Sequence, residues 1–311
     1  MDLELNEEQQ AIVAAVEALL EQRAGPARAI ALQAKGEYDR DLEGALAEAG
    51  FLDVGRGQET GPLEAALVTE AVARAGGVIA AGAACLVAPA LGKSQWLAPI
   101  ALALEDDGKS IRFGASARTL LLAGGAEARL VPLKRGDVET VRSNFGYPVG
   151  RVVGDLADRA SPLGEGSGER VRSWWRLALA VEAVGTMQAA LDVTVAYLKQ
   201  RRQFGRTIGS FQGVQHRLAE CAVLVEGSRW LAYEAADKGA PPEMTATAAA
   251  WALSAAGRVF VDTHQLSGAI GFTREHDLHV WSMRLQALRL ELGGVSMHRR
   301  EIARTRWGAS T

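Results

Sequence analysis

From Arg172 onward, apolar residues recur at helical spacing in four long runs: Trp174 to Gln200, Phe211 to Lys238, Pro241 to Gln265, and Asp277 to about Leu292. Runs of this length leave little choice of fold. Each carries an apolar stripe too wide to stay in water, and four such helices bury their stripes by packing as a bundle. Pro241-Pro242 suits the first turn of the third helix, where a missing N–H costs least.

The first hundred residues are also helical in pattern. Asn6 is a good N-cap for an amphipathic helix in which Gln9, Ile12, Val13, Val16, Leu19 and Leu20 recur on one side. Asp41 to Ala49, ended by Gly50, and Leu63 to Ala75, ended by Gly76-Gly77, read as two more helices. An Ala-rich segment from Val78 through Leu91 reads as another. Between about Ser110 and Gly168 the pattern shifts to short apolar runs among Gly and Pro, such as Thr119-Leu120-Leu121-Leu122 and Arg129-Leu130-Val131, which predicts strands joined by turns. Gly164-Glu165-Gly166-Ser167-Gly168 reads as a linker. The expected fold is α+β and mostly α: an N-terminal helical domain over 1–108, a small β domain over 109–168, and a C-terminal four-helix bundle over 169–311.

A net charge of −3 supplies no cation excess for nucleic acid or an anionic membrane. No uninterrupted apolar run reaches the roughly 20 residues that span a bilayer, and the start lacks the pattern of a secretory signal. The expectation is a soluble cytoplasmic protein. Cys85 and Cys221 each lie in an apolar helical pattern, which predicts buried reduced thiols. His264, His276, His279 and His298 lack the spacing with a carboxylate that a zinc site wants.

The connection between the first two long helices is Tyr197-Leu198-Lys199-Gln200-Arg201-Arg202-Gln203-Phe204-Gly205-Arg206-Thr207-Ile208-Gly209-Ser210-Phe211-Gln212-Gly213-Val214-Gln215-His216-Arg217-Leu218-Ala219-Glu220. It closely resembles the central motif of acyl-CoA dehydrogenases, Y-x-x-x-R-x-Q-F-G-x-x-I-x-x-F-Q-x-x-Q-x-x-L-A. In that family the motif holds FAD across a subunit interface. The resemblance implies FAD contacts from Arg201, Gln203, Phe204 and Gln212. Arg201 suits a pyrophosphate because a guanidinium offers fixed charge and planar paired donors. Without a ligand, the same residues would form a solvated turn closing a helical hairpin. A second block, Gln265-Leu266-Ser267-Gly268-Ala269-Ile270-Gly271-Phe272-Thr273-Arg274-Glu275, resembles the family's Q-x-x-G-G-x-G-F-x-x-E and implies FAD contacts from Gln265 and Gly268. Ala269 departs from the second Gly. The resemblance also implies helical, β and helical-bundle domains in that order.

Members of this family remove an α proton to a carboxylate while the β hydride passes to flavin. Counting from Gln265, the position of that carboxylate falls on Leu292, and Glu291 stands one residue early, a step of about 100° on a helix. Gly294 stands where the family has an FAD-contacting Thr. The alternative position for a base, just before the Arg that corresponds to Arg176, is Trp175, a residue that would fill the missing carboxylate's volume if it lines the acyl pocket. Glu182 reads as a polar residue at a helix contact. The expected function is a base-lacking flavoprotein subunit of an acyl-CoA dehydrogenase, working on an acyl-CoA substrate beside a second acyl-CoA dehydrogenase subunit in an α2β2 assembly, as in short steroid side-chain relatives. The rivals are an active homo-oligomer with Glu291 as base, and a structural or acyl-CoA-binding module that has lost FAD.

Overall fold

The computed structural model describes residues 4–57, 59–92, 96–105 and 110–308. Helix α1 (Glu7–Arg23) starts where Asn6 and Gln9 close a reciprocal capping box, and it buries Val16 and Leu20. Helix α2 (Pro26–Lys35), absent from the sequence expectation, begins at a proline and ends at Gly36 in the left-handed region. Helix α3 (Arg40–Glu48) is capped by Asp39. Helix α4 (Pro62–Arg74) is buried without a break from Ala65 to Ala73, so it lies inside the fold instead of on it. The Ala-rich segment becomes helical only from Ala81, through a π turn (Ala83–Val87) and one α turn, α5 (Ala88–Ala90).

Two small sheets follow. In the first, β1 (Ile100–Leu104) pairs parallel with β3 (Thr119–Ala123), and β4 (Glu127–Pro132) and β7 (Ser161–Glu165) continue it antiparallel. In the second, β6 (Val149–Val152) lies between β2 (Ile111–Arg112) and β5 (Val138–Val141). The expected boundary at 108/109 lies outside the described residues, and β1 falls on its N-terminal side. The expected linker is not one: Gly164 and Glu165 belong to β7, and Gly168 is already helical.

Helix α6 (Ser167–Gln200) is the axis of the molecule. Among the described residues it is the one helix long and apolar enough to cross a membrane, yet 78% of that apolar window is buried inside the protein. Around it pack α7 (Gln212–Asp237), α8 (Pro242–Ser267) and α9 (Leu278–Leu288), with a hairpin of β8 (Arg202–Gln203) and β9 (Arg206–Thr207) between α6 and α7. The fourth expected helix, Asp277 to about Leu292, ends early as α9, and a further helix that the sequence did not predict follows it. Helix α9 breaks after Leu288, because Leu292, Gly293 and Gly294 take φ of 51°, 76° and 75°, and α10 (Gly294–Trp307) then starts in a new direction. Among the described residues the C-terminal part thus has five helices, α10 lying beyond the four that were expected.

The N-terminal helices are fastened to the bundle in two ways. Gly185 of α6 lets α4 approach so closely that a Cβ there would lie 2.3 Å from the Glu70 carbonyl oxygen. Beside it, the buried Glu70 carboxylate accepts from Arg229 Nε at 2.9 Å and from the Tyr233 hydroxyl at 2.7 Å, both on α7. Cys85 and Cys221 are buried free thiols, as expected.

Candidate active site

A cavity of about 180 Å³ opens where β1 and β2 face α6 and the break after α9. Its polar wall is built from Arg112, Trp175, Glu291 and Tyr147. Trp175 and Glu182 lie seven residues apart on α6, two turns, and so share a face. Arg112 reaches both carboxylates: Nη1 stands 2.7 Å from Glu182 Oε2, and Nε stands 2.6 Å from Glu291 Oε1. Trp175 Nε1 donates to Glu291 Oε2 at 2.8 Å. Both oxygens of Glu291 are thus engaged.

The sequence expectation that Glu291 turns away by one helical step is corrected here. It assumed a continuous helix, and the left-handed residues that break the helix instead let Glu291 line the cavity. Trp175 lines it too, and is 4% exposed. Glu182 is a polar residue at a helix contact, as expected, with Oε1 accepting from the Gly82 amide at 3.3 Å, and it is also half of an ion pair.

Charge in this wall is nearly balanced. Burial works against the charge on Arg112, and Glu182 and Glu291 more than offset it, so its proton affinity is raised. Burial pushes Glu182 above the usual carboxylate range, and Arg112 opposes this. Burial also pushes Tyr147 up to about 12, against the pull of Arg284 and Arg112, whose guanidinium carbons lie 4.9 and 5.1 Å from the ring centre. Arg284 donates to the Gly77 carbonyl oxygen at 3.0 Å and is lowered by burial.

Leu104 and Leu292 also line a second recess, of about 560 Å³, whose walls carry Arg172, Arg176, Arg300 and Arg304. Arg176 is 6% exposed, and its Nε and Nη1 have no hydrogen-bond partner among the described residues. Its nearest carboxylates, Glu169 and Glu301, stand off at 3.7 and 3.8 Å. A buried guanidinium with free donors beside an open recess fits an anionic group. The apolar cavity and the cationic recess together suit a ligand with an uncharged end and a polyanionic end.

The residues that the resemblance assigned to FAD lie elsewhere. Arg201 caps the C-terminal end of α6, Gln203 and Phe204 form the hairpin, Gln212 opens α7, and Gln265 and Gly268 end α8. All six are exposed, Phe204 by 86%. Among the described residues the side chains of Arg201, Gln203, Gln212 and Gln265 have no hydrogen-bond or ion-pair partner. The first block comes close to the end of the second where Tyr197 meets His276, the residue after Glu275, with ring centres 5.3 Å apart. Counted along α6, Arg201 lies about 39 Å from Trp175. The motif and the cavity therefore sit toward opposite ends of one helix.

These exposed groups fit a dinucleotide: a free guanidinium for phosphate, free amides, and Gly268 at φ 65° where an added Cβ would meet open space. The departure at Ala269 is at an exposed position and blocks nothing inside the chain. Arg112, Tyr147, Arg284 and the cationic recess were not found from sequence. The recess had a signal, since Arg172 and Arg176, and Arg300 and Arg304, are pairs at i, i+4 that mark one face of a helix each. Arg112 had none, lying in a two-residue strand with no periodicity.

The chain matches the acyl-CoA dehydrogenase N-terminal domain over 6–99 and the acyl-CoA dehydrogenase C-terminal domain over 172–306. It is 38% identical over 164 residues to the acyl-CoA dehydrogenase FadE34 of Mycobacterium tuberculosis, a match covering 50% of this chain and 23% of that protein. The chain thus spans well under two thirds of the curated relatives it matches first, 23% and 34% of their lengths. In fold it is similar to a chain of the ChsE4-ChsE5 complex from Mycobacterium tuberculosis, with a TM-score of 0.80 at 23% identity over 98% of each chain. It is similar also to a chain of the Tcur3481-Tcur3483 steroid ACAD, with a TM-score of 0.81 at 23% identity over 96% of this chain and 97% of that one. With both terminal domains matched on either side of the β sheets, the chain belongs to the acyl-CoA dehydrogenase family.

Proposed function

We propose that this chain is a flavoprotein subunit of an acyl-CoA dehydrogenase that removes the α and β hydrogens of an acyl-CoA thioester with a second acyl-CoA dehydrogenase chain, in an α2β2 assembly. The observation that carries this is the state of Glu291, the carboxylate in the cavity. Its two oxygens accept from a guanidinium and an indole, so neither is left free to face a substrate in the cavity. FAD, when bound, accepts the hydride from the β carbon.

The chain's own residues supply the rest. Arg201, Gln203, Gln212, Gln265 and the backbone at Gly268 would hold the dinucleotide. Because they face outward far from their own cavity, they suit a flavin seated against a neighbouring subunit. Arg176, Arg300 and Arg304 would take the phosphates of the CoA moiety, and Leu104 and Leu292 would pass the acyl group inward. The likeness to assemblies described as ChsE4-ChsE5 and as a steroid ACAD supports a paired subunit and a steroid side-chain thioester as the substrate class.

One observation favours a second reading, in which Glu291 is itself the base: it lines the cavity instead of facing away. The test is the visible spectrum of the chain purified alone and with any dehydrogenase encoded beside it, before and after acyl-CoA. Flavin retained and bleached only in the paired sample supports the dependent subunit. A yellow chain bleached alone, with bleaching lost in Glu291→Gln, replaces that reading with the second.

A further inference from the structure

Arg112 is one cation between two carboxylates, and the two are held differently. The side chains of Arg112, Glu182 and Glu291 are 13%, 7% and 17% exposed, so this is a largely dehydrated triad. In a simple buried pair, removing one carboxylate strands the cation, at high cost. Here Glu291 can leave and Arg112 stays paired, because Glu182 remains at 2.7 Å.

Glu182 is the fixed partner. It stands on α6, its Oε1 accepts from the Gly82 amide, and a Cβ added at Gly82 would lie 2.6 Å from that oxygen. Glu291 is the partner that faces the cavity. It belongs to the break between α9 and α10, accepts from Arg112 Nε and Nη2 at 2.6 and 3.4 Å, and is otherwise held by the Trp175 indole.

We propose that Glu182 is a positioning residue that decides how firmly Glu291 is held: when ionised it shares the Arg112 guanidinium and lets Glu291 exchange off it into the cavity, and when neutral it leaves that guanidinium wholly to Glu291. The groups acting on Glu182 are Arg112 from β2, Glu291 from the break, the Gly82 amide and the Cys85 thiol from the turn before α5, and Arg284 and Tyr147 from α9 and the segment before β6. Burial and Glu291 favour its neutral form, and Arg112 opposes them. Falling pH therefore tightens the contact between Arg112 and Glu291, the reverse of what acid does to an ordinary ion pair. The consequence for turnover rests on the second reading above, with Glu291 as proton acceptor; the contact itself does not.

The Trp175 indole N–H reports this contact directly, and Trp281, whose Nε1 donates to the Arg74 carbonyl oxygen at 3.0 Å, is an internal control. The experiment is solvent hydrogen exchange of the two indoles by NMR in the full chain labelled at tryptophan, with no substrate. In Glu182→Gln at pH 8, Trp175 exchange is expected to slow about tenfold, equivalent to about 1.4 kcal/mol in how firmly its partner is held, with Trp281 unchanged. Glu182→Asp should restore the wild-type rate. In the wild-type protein the ratio of Trp175 to Trp281 exchange should fall from pH 8 to pH 5. Equal Trp175 rates in wild type and Glu182→Gln, or Trp281 slowing in parallel, would overturn the proposal. If Glu182→Gln does not fold, a constant wild-type ratio across that pH range overturns it alone. A chain that dehydrogenates nothing can still show the exchange effect, so the two failures are distinguishable.

Discussion

The indole nitrogen of Trp175 lies 2.8 Å from Oε2 of Glu291, joining the first half of α6 to the break after α9 across 116 residues of sequence. A donor at this place, where the resemblance suggested a base, turns the expected absence of a carboxylate into an interaction with a carboxylate from elsewhere. Trp175→Phe keeps an aromatic ring but removes the donor together with part of the indole's volume. The expected cost is about 1–3 kcal/mol, that of a hydrogen bond to a buried charged group. Urea denaturation measures it, and an unchanged midpoint would mean that the bond contributes nothing.

Gly185 sets the distance between α4 and α6. An added methyl would lie 2.3 Å from the Glu70 carbonyl oxygen and 3.0 Å from the Arg74 amide nitrogen, backbone atoms that cannot rotate away. Gly185→Ala is expected to destabilise the protein by about 3 kcal/mol through overpacking. Gly44→Ala, inside α3 with open space where the methyl would go, is expected to gain up to about 1 kcal/mol from helix propensity. Equal melting temperatures for the two variants would contradict the close approach.

His298 is 1% exposed, and neither ring nitrogen has a hydrogen-bond partner among the described residues. Burial, with Arg176 adding to it, lowers its proton affinity from 6.5 to about 4. The unfolded chain therefore binds the proton more readily than the folded one. The stability this neutral imidazole contributes is present above about pH 6.5 and is lost as pH falls toward about 4. His298→Leu should flatten that dependence, and the difference between variant and wild type should change by up to about 1.4 kcal/mol per pH unit across the window. Taking the difference removes Glu70 and Glu182, whose raised affinities act with the opposite sign. Parallel curves would show that His298 is not held neutral.

Much of this fold was legible because it is built of long helices. Asn6 with Gln9, and the periodic runs of α6, α7 and α8, carry their own signals every turn. The failures came where conformation depends on single residues. Leu292 takes φ 51°, which no periodicity announces, and the break it begins with Gly293 and Gly294 brought Glu291 into the cavity. Gly164 to Gly168 reads as a linker from composition, yet strand pairing with β4 and the start of α6 absorb it. Of the candidate site, the motif residues were readable from resemblance alone. The ion pairs of Arg112 were not, since they join positions 70 and 179 residues away that only the packed structure brings together.

Arg201 separates the motif's binding role from any structural one. Its side chain is exposed and has no partner among the described residues, so Arg201→Lys should leave stability within about 0.5 kcal/mol of wild type. Lysine keeps the charge but loses the paired planar donors that a pyrophosphate would engage. If the motif holds FAD in the assembled protein, the exchange should weaken flavin retention by about tenfold or more, the value of one charge-assisted hydrogen bond. The measurement is flavin absorbance per protein after dialysis of the co-purified assembly, with thermal unfolding of the same samples. Flavin lost with stability kept assigns Arg201 to the cofactor. Flavin kept in both Arg201→Lys and Arg201→Ala would leave the hairpin as a solvated turn and remove the motif from the binding site.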